Sequence, residues 1–177
     1  MKIIDTHIPG IKLIKPTILS DSRGFFYENI HAEKLRAYGI HMPMQQENIS
    51  RSAQGTLRGL HYQIAPHAQS KWVHVVRGHI FDVAVDIRTE SSTYGQWVGV
   101  HLSDENRHML IIPHGFAHGF YVLSDLADVV YKCDTVYHKE SERAIRWDDP
   151  TLGIDWPLLD HPVQLSDKDK AAALFQP

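Results

Sequence analysis

Residues 56–71 hold the densest set of groups able to move or hold a proton. Arg58, His61 and Gln63 sit among the strand formers Thr56, Leu57, Leu60 and Tyr62, and Lys71 follows a loop containing Pro66. An imidazole accepts a proton near neutral pH, a guanidinium binds phosphate oxygens, and an ammonium stabilises a developing oxyanion. Packing such groups into one apolar hairpin costs stability. A fold tolerates them mainly where they are paired or used. The competing reading is a polar rim at a strand end. Side chains alternate along a strand, so His61 and Gln63 face one way and Leu60 and Tyr62 the other. Arg58 falls opposite His61 in a regular strand. A bulge or close backbone approach at Gly59 would change that facing.

The chain that must position these groups has 177 residues, which suits one domain over 1–177. Hydrophobic residues make up 43%, enough for a core, and the net charge of -3 gives no cationic footprint for nucleic acid. Thirteen histidines are scattered along the chain, which is compatible with metal binding or with titration near neutrality. The single Cys133 excludes an internal disulfide and any Cys-only metal site, and fits a reducing compartment. No secretory signal and no apolar run of membrane length appears. These features read as a soluble cytoplasmic protein.

Residues 11–19, interrupted by Pro16, read as an edge strand, and Asp21-Ser22-Arg23-Gly24 as a turn before the strand Phe25–Glu28. Arg23 and Glu28 flank that strand, where strand ends open into clefts. A short helix spans 32–38 and stops at Gly39. Gln45–Arg51 reads as a polar strand. Trp72–Val76 and His79–Ile87 read as a strand pair turning at Arg77-Gly78. In the second of these, Phe81, Val83, Val85 and Ile87 share one face, and Ile80, Asp82, Ala84 and Asp86 the other. The acids on an otherwise apolar face suggest a polar interior or cleft wall; a solvated face is the alternative. Further strands are expected at 95–102, 109–112, 120–123, 127–133 and 143–147, with loop over 148–157. A weak helical turn closes the tail. Short strands without a βαβ rhythm indicate an all-β barrel or sandwich and exclude a Rossmann unit.

Pro113-x-Gly115-x-x-His118 resembles the second motif of cupins, which are double-sheet jelly rolls, and the Trp72–Ile87 pair resembles the first. Where metal-binding cupins carry a His-x-His pair, this chain reads His61-Tyr62-Gln63, so the usual metal ligands are missing. A longer resemblance spans nearly the whole chain. Its carriers are Asp21–Phe26, Leu57–Gln63, Val83–Arg88, Gly115–Phe120 and Leu165–Asp169. Through them the chain resembles the dTDP-4-dehydrorhamnose 3,5-epimerase family.

That resemblance implies a cupin-like jelly roll with short peripheral helices. It also implies inversion of C3 and C5 of a dTDP-linked 4-keto sugar by proton abstraction beside the C4 ketone. His61 matches the base. Asp169 matches the group that orients it, with Asp82 as the other candidate. Lys71 matches the cation near the C4 oxygen, and Tyr131 matches the acid on the far face of the ring. For Tyr131 the competing reading is a core tyrosine, because Val129 and Cys133 share its face. Arg23 and Arg58 match contacts to the nucleotide sugar, and Tyr137 matches an aromatic that stacks on thymine. Glu28, Gln46, Asn48, His118, Glu142 and Lys168 match further substrate contacts. His118 has a second implied role as a donor to the sugar or the enolate oxygen. The resemblance implies no cofactor, since proton transfer changes no oxidation state, and no metal. It also implies a homodimer in which strands of one subunit extend a sheet of the other. The polar strand near Gln46 and the aromatics Phe25 and Phe26 suit such an interface.

Three other readings compete. One is a metal-dependent cupin using His61, His67 or His74 with His118. Another is a sugar-nucleotide binder without turnover. The third is a related epimerase acting at one carbon only or on another nucleotide sugar.

Overall fold

The computed structural model describes residues 1–41 and 43–176. Its strands are β1 (Lys2–Asp5), β2 (Lys12–Lys15), β3 (Ile18–Asp21), β4 (Gly24–Tyr27), β5 (Gln46–Ala53), β6 (Leu57–Gln63), β7 (Lys71–Arg77), β8 (His79–Asp86), β9 (Trp97–Ser103), β10 (Met109–Ile112), β11 (Phe116–Val122), β12 (Leu126–Cys133) and β13 (Glu142–Ala144). The two short helices are α1 (Ala32–Arg36) and α2 (Asp167–Lys170). Six strands form one sheet in the order β1-β2-β10-β7-β12-β5, five form another in the order β13-β6-β11-β8-β9, and β3-β4 is a separate hairpin. The two large sheets enclose one apolar cluster that includes Val73, Val75 and Val129 from the first and Ile80, Ala84 and Phe120 from the second. This is the all-β, cupin-like double sheet that the resemblance implies.

Several expectations need correction. The strand pair 72–87 is not a hairpin. β7 and β8 lie in different sheets, so Gly78 carries the chain across the interior edge rather than around a two-strand turn. β6 and β7 are likewise unpaired, with β6 bonded to β11 and β13 and β7 to β10 and β12. The expected edge strand 11–19 splits at Pro16. Its first half, β2, is flanked on both sides, because Lys2–Asp5 forms an additional strand against it. β11 starts at Phe116, so His118 stands within a strand rather than on a loop.

The alternation in β8 has a clear outcome. Asp82 and Asp86 are fully buried on the inward face. Asp86 accepts hydrogen bonds from Arg88 at 2.8 and 2.7 Å, Ser91 at 2.6 Å and Thr93 at 2.6 Å. Burial alone would raise its pKa. These donors outweigh that effect and hold it far below the usual carboxylate range. The opposite face, with Phe81, Val83 and Val85, is covered by the C-terminal segment through Ile145, Leu152, Trp156 and Phe175.

Local geometry at β6 settles the facing of Arg58. Arg58 pairs with Phe120 and His61 with His118, so two residues of β6 oppose the single Gly119. The bulge puts Arg58, His61 and Gln63 on the side of β6 that faces the other sheet, with Arg58 itself exposed, and leaves Leu57, Leu60 and Tyr62 in the outer cluster. Gly59 has φ +129°, and a Cβ there would lie 2.5 Å from the Gly119 Cα. Gly39 is the milder case, with φ +73° close to the left-handed region and open space around it, so Gly59 differs from it in backbone conformation as well as in packing. Gly39→Ala should cost about 1 kcal/mol, the price of the backbone conformation alone. Gly59→Ala should cost about 1–3 kcal/mol more, because backbone has to move. Urea unfolding of both variants checks this, and equal losses would mean that the bulge is not close-packed.

Candidate active site

The inward faces of the two sheets are apolar at one end and polar at the other. At the polar end a cavity of about 290 Å³ is lined by Gln46 and Asn48 of β5, His61 and Gln63 of β6, Lys71 of β7, Tyr131 of β12, Tyr137, and Glu142 of β13. His61 and Tyr131 therefore come from facing sheets.

His61 Nε2 lies 2.5 Å from Asp169 Oδ1. The Nδ1 atom has no hydrogen-bond partner among the described residues. Asp169 is buried in α2, where the Ser166 hydroxyl donates to its Oδ2 at 2.8 Å and caps its backbone amide at 3.1 Å. Burial raises the Asp169 pKa, but the His61 and Ser166 hydrogen bonds prevail and lower it. It stays a carboxylate able to orient the ring and balance an imidazolium.

Lys71 extends β7 inward beside Val73 and Val75, and its ammonium donates to the His61 carbonyl at 3.3 Å. Burial pushes its pKa down, against the attraction of Asp82 and Glu142. Tyr131 packs on the apolar cluster and faces the cavity as well. Burial raises its pKa, so the phenol keeps its proton at neutral pH.

His118 and Asp82 form a second, fully interior pair, with Nε2 2.8 Å from Oδ1. Burial lowers the His118 pKa more than Asp82 raises it, which favours the neutral imidazole. Asp82 is engaged with His118, and the carboxylate on His61 is Asp169. Of the two carboxylates, only Asp169 contacts His61 among the described residues.

At the mouth, the Tyr137 hydroxyl donates to Glu142 at 2.9 Å, and Lys168 forms an ion pair with the same carboxylate. Burial raises the Glu142 pKa, but both partners together lower it. Arg58 reaches across to β5, donating to Ser52 Oγ at 2.9 Å and to the Arg51 carbonyl at 3.3 Å. Arg23 and Glu28 are not brought to the cavity. Arg23 lies on the β3–β4 hairpin, ion-paired to Asp21 at 2.6 Å, and Glu28 pairs with Lys34 at 2.7 Å. Neither residue is among those that line the cavity.

Gln69 lines the cavity but was not singled out from sequence. Gln69 lies two residues before Lys71 in a loop, where alternation gives no signal. Gln63, which alternation puts on the His61 face, lines the cavity as well. No group of three or more His, Cys, Asp or Glu among the described residues is arranged to hold a metal ion. His74 sits beside Trp72 on the strand positions opposite to Lys71, Val73 and Val75, so it cannot join His118.

A family model described as dTDP-4-dehydrorhamnose 3,5-epimerase matches residues 5–177. The chain belongs to this family. An epimerase of that name from Shigella flexneri is 50% identical over 170 residues, covering 96% of this chain and 93% of the relative. The dTDP-6-deoxy-D-glucose-3,5-epimerase of Legionella pneumophila Philadelphia 1, solved in complex with dTDP-4-keto-L-rhamnose, is 55% identical with a TM-score of 0.94, over 98% of this chain and 92% of that one. A 3'-monoepimerase from Streptomyces bikiniensis, in complex with dTDP-quinovose, gives a TM-score of 0.89 at 36% identity, over 96% and 85%.

Within this epimerase fold the buried ammonium of Lys71 has a thermodynamic signature. Its folded pKa is lowered, so the unfolded chain holds the proton more tightly. Folding therefore works against that charge at neutral pH. The penalty fades as pH rises through the folded pKa toward the unfolded value of about 10.4. Lys71→Met should raise the melting temperature at pH 7, and the gain over wild type should shrink by pH 10. Thermal unfolding at both values checks this, and a variant less stable than wild type at pH 7 would contradict it.

Proposed function

We propose that the chain epimerises dTDP-4-dehydro-6-deoxy-D-glucose at C3 and C5 to dTDP-4-dehydro-L-rhamnose, as an isomerase of dTDP-L-rhamnose biosynthesis. The observation that carries this reading is a base and an acid on facing sheets of one cavity, with an ammonium beside them. His61, oriented by Asp169, takes the proton from the carbon next to the C4 ketone. The C–H electron pair moves into the carbonyl and leaves an enolate oxygen. Lys71 stabilises that oxygen, a kind of interaction whose loss costs about 10²–10³ in kcat elsewhere. Tyr131 gives its proton to the opposite face, and the configuration inverts. Solvent then reprotonates Tyr131 and deprotonates His61, so protons balance and no redox partner is required. The ketone already present acidifies both carbons.

Substrate recognition follows the same chemistry. Tyr137 stacks on thymine, Arg58 faces the polar parts of the nucleotide sugar, and Gln46, Asn48, His118, Glu142 and Lys168 complete the contacts. The single-carbon alternative draws support from the likeness to a monoepimerase, whose shared fold shows that the scaffold does not dictate how many centres invert.

The reading includes a cytoplasmic homodimer of one-domain subunits. No helix among the described residues is long and apolar enough to cross a membrane. β5 is eight residues long and lies at the sheet edge, and Leu19, Phe25 and Phe26 of the hairpin are exposed by 54–69%. An uncovered edge and an apolar hairpin of this size are liabilities for a lone subunit. In the dimer, Arg23 and Glu28 serve the partner's cavity, which reconciles their implied role with their distance from their own. Light scattering at micromolar concentration should give twice the monomer mass; a monomer would sink this part.

NMR of dTDP-4-keto-6-deoxyglucose with the protein in D2O tests the chemistry. Deuterium should enter at both C3 and C5 with inversion. His61→Ala should lower both exchanges by about 10²–10⁴-fold. Tyr131→Phe should keep exchange at C5, by return of the proton from the His61 side, while inverted product falls sharply. Undiminished inversion by Tyr131→Phe would make Tyr131 a packing residue.

A further inference from the structure

Gln63 is buried at the end of β6, two residues from His61 on the interior face. Its side-chain NH₂ donates to the His67 carbonyl at 2.6 Å. Its side-chain oxygen accepts from the His138 backbone amide at 2.7 Å. One carboxamide thus joins the main chains of two loops flanking the cavity mouth. The neighbouring amide, that of Tyr137, is held by the Gln46 side-chain oxygen at 2.7 Å. Two consecutive amides are therefore fixed by two glutamines, one from each facing sheet. The rings of His67 and His138 stack at 3.8 Å and 6° across the same junction.

We propose that Gln63 is a positioning residue that sets nucleotide affinity by holding Tyr137 in place. The inference rests on the reading above, in which Tyr137 stacks on the base. The Tyr137 ring is half exposed, and its hydroxyl makes a single hydrogen bond, to Glu142. Its placement depends on the backbone that carries it. Stacking needs a ring held ready, because ordering a free loop on binding subtracts from affinity. A neutral group with an acceptor at one end and a donor at the other fits both loop contacts. A carboxylate would oppose the His67 carbonyl, and methionine would fill the space while bonding to neither loop.

Calorimetric titration of the full-length protein with dTDP tests this as a double-mutant cycle. Gln63→Met should weaken dTDP binding about tenfold, the scale of lost hydrogen bonds. Tyr137→Ala should weaken it at least as much. The double variant should bind within about twofold of Tyr137→Ala alone, because Gln63 acts through that ring. At saturating substrate Gln63→Met should keep kcat within about twofold while KM rises. Multiplicative losses would overturn the proposal, since they mean that Gln63 touches the nucleotide itself or supports the fold generally. Unchanged affinity in Gln63→Met would overturn it too. Hydrogen exchange on the wild type is independent of whether the variant folds: the His138 amide should exchange at least about 100-fold more slowly than a free loop amide, and fast exchange would refute the clamp. A wild type that neither binds dTDP nor turns over the 4-keto sugar would refute the functional reading instead.

Discussion

Between Arg58 and His61 the strand carries one residue more than its partner, and the partner residue is Gly119. A Cβ on Gly119 would meet the Arg58 carbonyl at 2.7 Å, and one on Gly59 would meet the Gly119 Cα at 2.5 Å. Only two glycines let the backbones approach this closely. The arrangement of the cavity follows from that contact. Without the extra residue, alternation would send Arg58 and His61 to opposite faces. With it, both share the Gln63 side of the strand, and Leu57, Leu60 and Tyr62 all point to the outer cluster. A single bulge thus separates polar from apolar side chains along seven residues.

The interior it creates holds charged and polar groups at a cost. Lys71, Asp169, His118 and Tyr131 all shift, and in each case burial is the largest cause. Their outcomes differ because their partners differ. Asp169 gains hydrogen bonds from His61 and Ser166 and ends below the usual carboxylate range. Tyr131 has no opposing partner strong enough and ends as a firmly protonated phenol. His118 is pushed toward neutrality despite Asp82. A carboxylate, a protonated phenol and a neutral imidazole are thus set side by side by differences in local environment.

Much of this was legible in the residues. Period-two alternation in β8 put Asp82 and Asp86 on one face with Ile80 and Ala84, leaving open whether that face is buried, and the Asp21–Gly24 turn and the polar strand at β5 stand where expected. Pairing was not legible. Arg77-Gly78 looks like a hairpin turn, yet the chain there changes sheets, and alternation is the same in either case. The facing of Arg58 depended on whether Gly59 was a bulge, which sequence leaves open until the partner strand is known. The link between His61 and Asp169 spans 108 positions and came only from the family likeness. Arg23 and Glu28 show the opposite limit: motif matching names them, but a single chain does not carry them to its own cavity.

Asp169 also shows how the tail reaches the cavity wall, through its contact with His61. Its helix has four residues, far too few to be stable alone. The return path is fixed instead by the segment around it, where Leu152, Trp156 and Phe175 pack on the outer face of the five-stranded sheet. Backbone bridges join Thr56 to Gln164 and Ile145 to Ala173 on either side of α2. Burying side chains of this size contributes about 1.5–3 kcal/mol each, so several together exceed the one charge-assisted hydrogen bond they position. The outer cluster and the cavity lie on opposite faces of β6, separated by one pleat. Apolar packing on the outer face therefore determines where the carboxylate meets the imidazole on the inner one. A change that loosens the tail acts on the His61–Asp169 contact without touching either side chain.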